Sequence, residues 1–142
     1  EGGPNSQSIV ILIECEDKKI LLPGDSTPME LYDALQNYNK TNGAPLELDF
    51  MKLAHHGSTR NITKRVLDEV ICSNFVISTK KNKKYFFPNK ETIAKLIRYR
   101  ESADKAINVY FNYQESLDIL GITADELTEY NINLNVCNEF KI

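Results

Sequence analysis

The chain has 142 residues, 42% of them hydrophobic and 26% charged, which is enough apolar material for one domain with a core. Its formal net charge of −3 argues against a general affinity for phosphate backbones, though not against a local basic patch. No apolar run approaches the roughly 18 residues a membrane span needs, so no membrane segment is expected. The three cysteines Cys15, Cys72 and Cys137 form no C-x-x-C pair; they read as core thiols in a reducing, cytoplasmic compartment and exclude a disulfide framework or zinc ribbon.

In chain order, Ser8 to Cys15 (SIVILIEC) is a β-branched run of strand length, and Lys19 to Leu22 supplies a second strand after a polar turn at Glu16-Asp17-Lys18. Pro23-Gly24-Asp25 breaks that strand. A helix is expected from Pro28, with Met29, Leu31, Tyr32, Leu35 and Tyr38 at helical spacing, and Asn39 to Pro45 as a loop. Leu46 to Ala54 reads as one interior strand, apolar on both faces, running straight into His55-His56-Gly57-Ser58. A helix over 63–70, a strand over 75–78 and a lysine-rich loop over 79–84 follow. Asn89 is a plausible N-cap for a helix reaching about Arg100, with Ile93, Leu96 and Ile97 inward. Ile107 to Phe111 is a strand, Thr123-x-x-Glu126 is a capping box, and Ile132 to Val136 alternates as a last strand. This order is that of a layered α/β or α+β domain.

Two features carry chemistry. Leu21-Leu22-Pro23-Gly24-Asp25 puts a carboxylate just past a strand end, on a glycine turn that lets backbone approach a ligand. Taken alone, it is also an ordinary turn. His55 and His56 are the two histidines of the chain. Neutral imidazole is a common metal ligand and a carboxylate its usual companion at zinc and manganese sites. Residues adjacent on a strand point to opposite sides, so one histidine is expected to face a given site while the other acts from the second shell or touches substrate. Turn histidines bonded to backbone are the plain alternative.

From Asn5 onward the chain reads N-x-x-S-I-V-I-L-I-E, K-I-L-L-P-G-D, D-F-M-K-L-A-H-H-G-S, V-I-S and N-K-K-Y-F-F-P. This order resembles the C-terminal half of the metallo-β-lactamase superfamily, in the branch with the soluble domain of the bacterial competence DNA-uptake channel. The match runs over residues 5–99 of a single domain spanning 1–142, with 100–142 as closing strands and a short helix. The resemblance implies half of an αββα sandwich, with two sheets face to face, helices outside and metals at one edge. It implies that Asp25 bridges two divalent ions (zinc or manganese) and that His56, ahead of His55, is the last metal histidine. Ser58 would shape the loop or touch a substrate phosphate; Lys83, by its charge and not by the resemblance, is a further candidate substrate contact. The implied chemistry is two-metal hydrolysis, phosphodiesterase- or nuclease-like.

The family's H-x-H-x-D-H signature is absent here, so metal is expected to bind weakly or not at all and this chain alone is not expected to hydrolyse anything. The start at Glu1-Gly2-Gly3-Pro4 without Met suggests an upstream half removed rather than lost. Where the branch commonly has a histidine before Pro88, this chain has Phe87, which neither ligates metal nor moves protons. Lys80, Lys81, Lys83 and Lys84 with Tyr85 are either a nucleic-acid contact or plain solvated surface. The expected partners are the missing N-terminal half and a homodimer or swapped oligomer of the fragment, with nucleic acid as a further candidate. The competing reading is a non-catalytic module that binds a protein or nucleic acid.

Overall fold

The first two strands, β1 (Ile11–Cys15) and β2 (Lys18–Leu22), form an antiparallel hairpin in register from Ile11↔Leu22 to Cys15↔Lys18. Glu16 takes a positive φ of 55° in the two-residue turn, the backbone such tight connections demand. The computed structural model describes residues 8–43, 45–80 and 87–139. Helix α1 (Pro28–Asn42) starts on a full capping box: Thr27 Oγ1 accepts from the Glu30 amide, and Glu30 Oε2 accepts from the Thr27 amide at 3.0 Å. Leu31, Leu35 and Asn39 point inward along one stripe. We expect Thr27→Ala to cost about 1 kcal/mol of stability in a urea melt, as loss of an N-cap does.

The helix continues through residues expected to be loop. The reason is Asn39, whose buried amide donates to Glu69 O at 2.9 Å and Glu69 Oε2 at 2.8 Å, anchoring the helix end instead of breaking it. The expected single strand over 46–54 also divides. β3 (Leu46–Glu47) lies parallel to β5 (Val70–Ile71) in a two-stranded ladder, whereas β4 (Phe50–Lys52) joins the main sheet. Asp49 makes the jog: its amide donates to Lys19 O and its carboxylate accepts from the Lys19 amide, both at 2.9 Å. That amide bond, with help from Lys18, holds the Asp49 carboxyl below its ordinary value. Because the chain must enter β5 at Val70, helix α2 is only Lys64–Leu67 rather than reaching residue 70.

The remaining elements are β6 (Asn74–Ile77), α3 (Lys90–Tyr99, capped by Asn89), β7 (Ile107–Phe111), α4 (Gln114–Asp118), α5 (Ala124–Glu129, with the expected Thr123/Glu126 box) and β8 (Ile132–Val136). Helix α4 carries no periodic apolar stripe and was not expected. The main sheet runs β1-β2-β4-β6-β7-β8, parallel everywhere except the first hairpin. The protein is therefore mixed α/β with one six-stranded sheet. Its parallel strands all end at one edge, the usual place for a site in such sheets.

Register separates the two sheet faces. Leu21, Met51, Phe75, Val109 and, one step on, Ile77 and Phe111 share a buried face. Leu31, Val66, Ile93, Leu117 and Leu127, one from each helix in turn, pack into the same cluster. The opposite face carries Ile11, Ile13, Ile20, Leu22, Phe50, Lys52, Val76 and Tyr110, all half-buried or exposed. It also carries a row of amides: Asn133 donates to Asn108, Asn108 to Asn74, and Asn74 to Asp49 O, each at 2.9 Å. Cys15 lies on this face and is exposed, so it is not a core thiol; Cys72 and Cys137 are half-buried. Burial pushes the Cys72 thiol up to about 12. Among the described residues no helix is long and apolar enough to cross a membrane.

Candidate functional site

Two loops, following β2 and β4, meet beside the end of β6. The first is Pro23-Gly24-Asp25, closed by the Ser26 amide donating to Pro23 O at 3.2 Å. Gly24 sits at φ +58°, and a Cβ there would lie 3.2 Å from Ile9 O, so both backbone and space call for glycine. The second loop is Ala54-His55-His56-Gly57, which is not strand but a left-handed turn: His55, His56 and Gly57 take φ of 49°, 57° and 78°. Two consecutive non-glycine residues in that region are uncommon and cost energy, a mark of functional loops held from outside.

What holds them is visible. The His55 amide donates to Gly24 O at 3.0 Å, joining the second loop to the first. Asn61 Nδ2, buried, donates to Ser26 O at 2.7 Å and ties the same two loops again. Thr92, fully buried on α3, donates its hydroxyl to Gly57 O at 2.6 Å. Neither Asn61 nor Thr92 stood out in the sequence, because a polar residue in a helix or turn usually faces water.

These ties set His56 against Asp25. His56 Nδ1 lies 2.8 Å from Ser78 O, just past β6. A carbonyl only accepts, so Nδ1 carries the proton of the neutral ring and Nε2 carries the lone pair. Nε2 stands 4.0 Å from Asp25 Oδ1, with both side chains nearly half exposed (46% and 41%). Ligand bonds of roughly 2.0–2.2 Å put two atoms of a tetrahedral set about 3.4 Å apart, so this exposed pair would have to close slightly to share one ion as part of a ligand set. Among the described residues no group of three or more His, Cys, Asp or Glu side chains gathers to complete it.

The other expected residues are placed differently. The His55 ring meets Phe87 at 5.7 Å and the His56 ring at 6.3 Å. The opposite-sides rule for strand neighbours does not apply to it, because the pair sits in a turn. Ser58 is 6% exposed, with its amide donating to His55 O at 3.0 Å, so it braces the turn from within. Lys83 lies outside the described residues, as do Lys81, Lys84, Tyr85 and Phe86; Lys80 is exposed.

Lys52, at the end of β4, was not singled out. Burial lowers its ammonium from the ordinary value, and the Asp25 charge partly restores it. Comparison with protein-family models, curated proteins and solved structures finds no match to this chain.

Proposed function

We propose that this chain is the C-terminal part of a metal-dependent hydrolase of the metallo-β-lactamase type, acting on phosphodiesters. The observation that carries the reading is the Asp25–His56 pair, with its imidazole tautomer fixed by Ser78 O and its lone pair facing the carboxylate. It stands at the strand ends where the sequence resemblance expects metal ligands. Under this reading the sheet is half of an αββα sandwich, and its half-covered face awaits a second sheet.

Asp25 and His56 would hold zinc or manganese together with histidines and an aspartate from an upstream segment. Bound divalent ions supply electrophilic activation of a phosphoryl oxygen and of the attacking water. This chain's own share is positional. Ser78 O aims the ring, the Gly24–His55 backbone bond fixes the loop spacing, and Asn61 and Thr92 keep both loops from relaxing. The test is hydrolysis of bis(p-nitrophenyl) phosphate by the chain joined to whatever its gene encodes upstream. Turnover that stops with chelator and returns with Mn2+ sustains the reading, and turnover indifferent to both ends it.

The short ligand set favours a second reading, a binding module whose Asp25 and His56 are remnants. Salt-sensitive nucleic-acid binding that ignores chelator would select it. In either case Ile11 and Ile13 on the edge strand β1, exposed at 48% and 42%, with Ile9 just ahead of it at 76%, should drive self-association. Sedimentation should show dimers or larger species in the micromolar range; a strict monomer would refute this.

A further inference from the structure

The last strand, β8, leaves one edge of the main sheet open. In its ladder with β7 the Ile107 amide donates to Asn131 O at 3.1 Å, and the Cys137 amide donates to Phe111 O at 2.9 Å. Backbone groups alternate sides along a strand, so Asn133 and Asn135 also turn theirs to β7, while Ile132, Leu134 and Val136 turn theirs outward. Side chains alternate between faces as well. Asn133 and Asn135 stand on the half-covered face beside Asn108 and Tyr110, and Ile132, Leu134 and Val136 stand on the other. The strand reads Ile-Asn-Leu-Asn-Val, symmetric in kind about Leu134. Laid antiparallel to itself about that residue, it sets Asn against Asn, Leu against Leu and Ile against Val. Its outward groups then fall into hydrogen-bonded pairs, each exchanging two bonds. The amide row adds a direction, running from Asn133 to Asn108 to Asn74 to Asp49 O. It begins at the open edge, where the Asn133 side-chain oxygen accepts from nothing among the described residues. Asn135, half-buried, makes no side-chain hydrogen bond among them either.

We propose that β8 is a docking edge for a second copy of this chain. The partner adds its own β8 antiparallel about a twofold axis at Leu134, joining two six-stranded sheets into one. Asn133 of one copy and Asn135 of the other form a non-hydrogen-bonded pair, the kind whose side chains approach more closely. Asn135 donates to the Asn133 oxygen of the partner and lengthens the partner's amide row by one member, and the partner does the same in return. Val136, 41% exposed in the single chain, is covered by Ile132 of the other copy. A slip of one residue would bring the open face of one sheet level with the helix-covered face of the other, so the register is specified. This contact lies at the opposite edge of the sheet from β1 and is independent of the metal-site reading.

The test uses the whole chain carrying Ile9→Ser, Ile11→Thr and Ile13→Thr, which remove the apolar strip at the other edge. Sedimentation equilibrium is expected to show a dimer in the micromolar range. Adding Asn135→Asp sets an acceptor-only carboxylate against the Asn133 oxygen. It should weaken the dimer at least about tenfold, the size of two symmetry-related hydrogen bonds, and leave the melt of dilute protein unchanged. Register is read by cross-linking Asn133→Cys with Asn135→Cys in a background of Cys15→Ser, Cys72→Ala and Cys137→Ser. Paired Cα atoms about 4.5 Å apart are within disulfide reach, whereas like residues on the diagonal, about 7–8 Å apart, are not. The mixture should therefore form the mixed disulfide under mild oxidant, and neither variant should link to itself. A strict monomer in the micromolar range overturns the proposal and leaves the β1 prediction and the metal-site reading standing. An Asn135→Asp dimer as tight as its parent, or either cysteine variant linking to itself, overturns the pairing.

Discussion

Under the metal-site reading, the Asp25→Ala/His56→Ala double variant is expected to lose divalent-metal binding once the chain is joined to the upstream ligands that reading requires. The loss should exceed the roughly 10–100-fold that removing a single outer-shell partner causes, because two direct ligands go at once. Both side chains are nearly half exposed and neither packs in the core, so the variant should stay folded. Calorimetric metal titration beside a thermal melt separates the two effects. His55→Ala is the control: its ring packs against Phe87 and the His56 ring, and it is His56 that stands 4.0 Å from Asp25, so metal affinity should change far less. Full metal retention in the double variant would sink the site assignment. Loss in His55→Ala equal to that in His56→Ala would show that the wrong histidine was chosen.

Gly57→Ala is expected to be strongly destabilising. Gly57 sits at φ +78°, and a Cβ there would press on Ile77 Cγ1 at 3.3 Å and on Cδ1 and Cγ2 at 3.4 Å. Ile77 is fully buried on the core face and cannot step aside. Left-handed strain of about 1–2 kcal/mol and overpacking of about 1–3 kcal/mol act together, a combined loss on the order of 2–5 kcal/mol. Because Gly57 O also receives the Thr92 hydroxyl, the shift should reach the His56 ring. Chemical denaturation gives the stability, and metal titration of the surviving folded fraction gives the coupling. A variant within about 0.5 kcal/mol of wild type, the range of neutral surface changes, would mean the loop relaxes without strain.

Much of the fold was legible because its strands are short β-branched runs bounded by breakers. The breaks inside such runs were not. Nothing local in Leu46 to Ala54 announces that Asp49 will take the Lys19 amide thirty residues back, and that bond divides the strand between two ladders. Asn39 misled in the opposite direction, since an asparagine with Gly43 beyond it looks like a loop until Glu69 arrives to bind it. At the candidate site, the family resemblance singled out Asp25 and His56, where residue types alone left an ordinary turn and turn histidines equally open. The left-handed turn and the Ser78 carbonyl that orients the ring belong to tertiary structure, and so does the half-burial of Lys52. Cys15 was misjudged because it sits in an apolar run, while β1 is an edge strand with one face open.

The parallel sheet has a consequence for the order in which the molecule comes together. Only the β1–β2 hairpin closes a short loop; every other ladder of the main sheet joins strands separated by intervening helix or turns. Loop closure over such distances makes folding slow. The hairpin delivers Asp25 early, but His56 reaches it only after β4 has docked on β2, and the ring is aimed only after β6 has brought Ser78 alongside. A metal ion at this pair would thus recognise the finished sheet and not its precursors, so its binding energy would add to the stability of the native state alone. Metal added during refolding should then leave the early hairpin unchanged and raise the midpoint of the final transition.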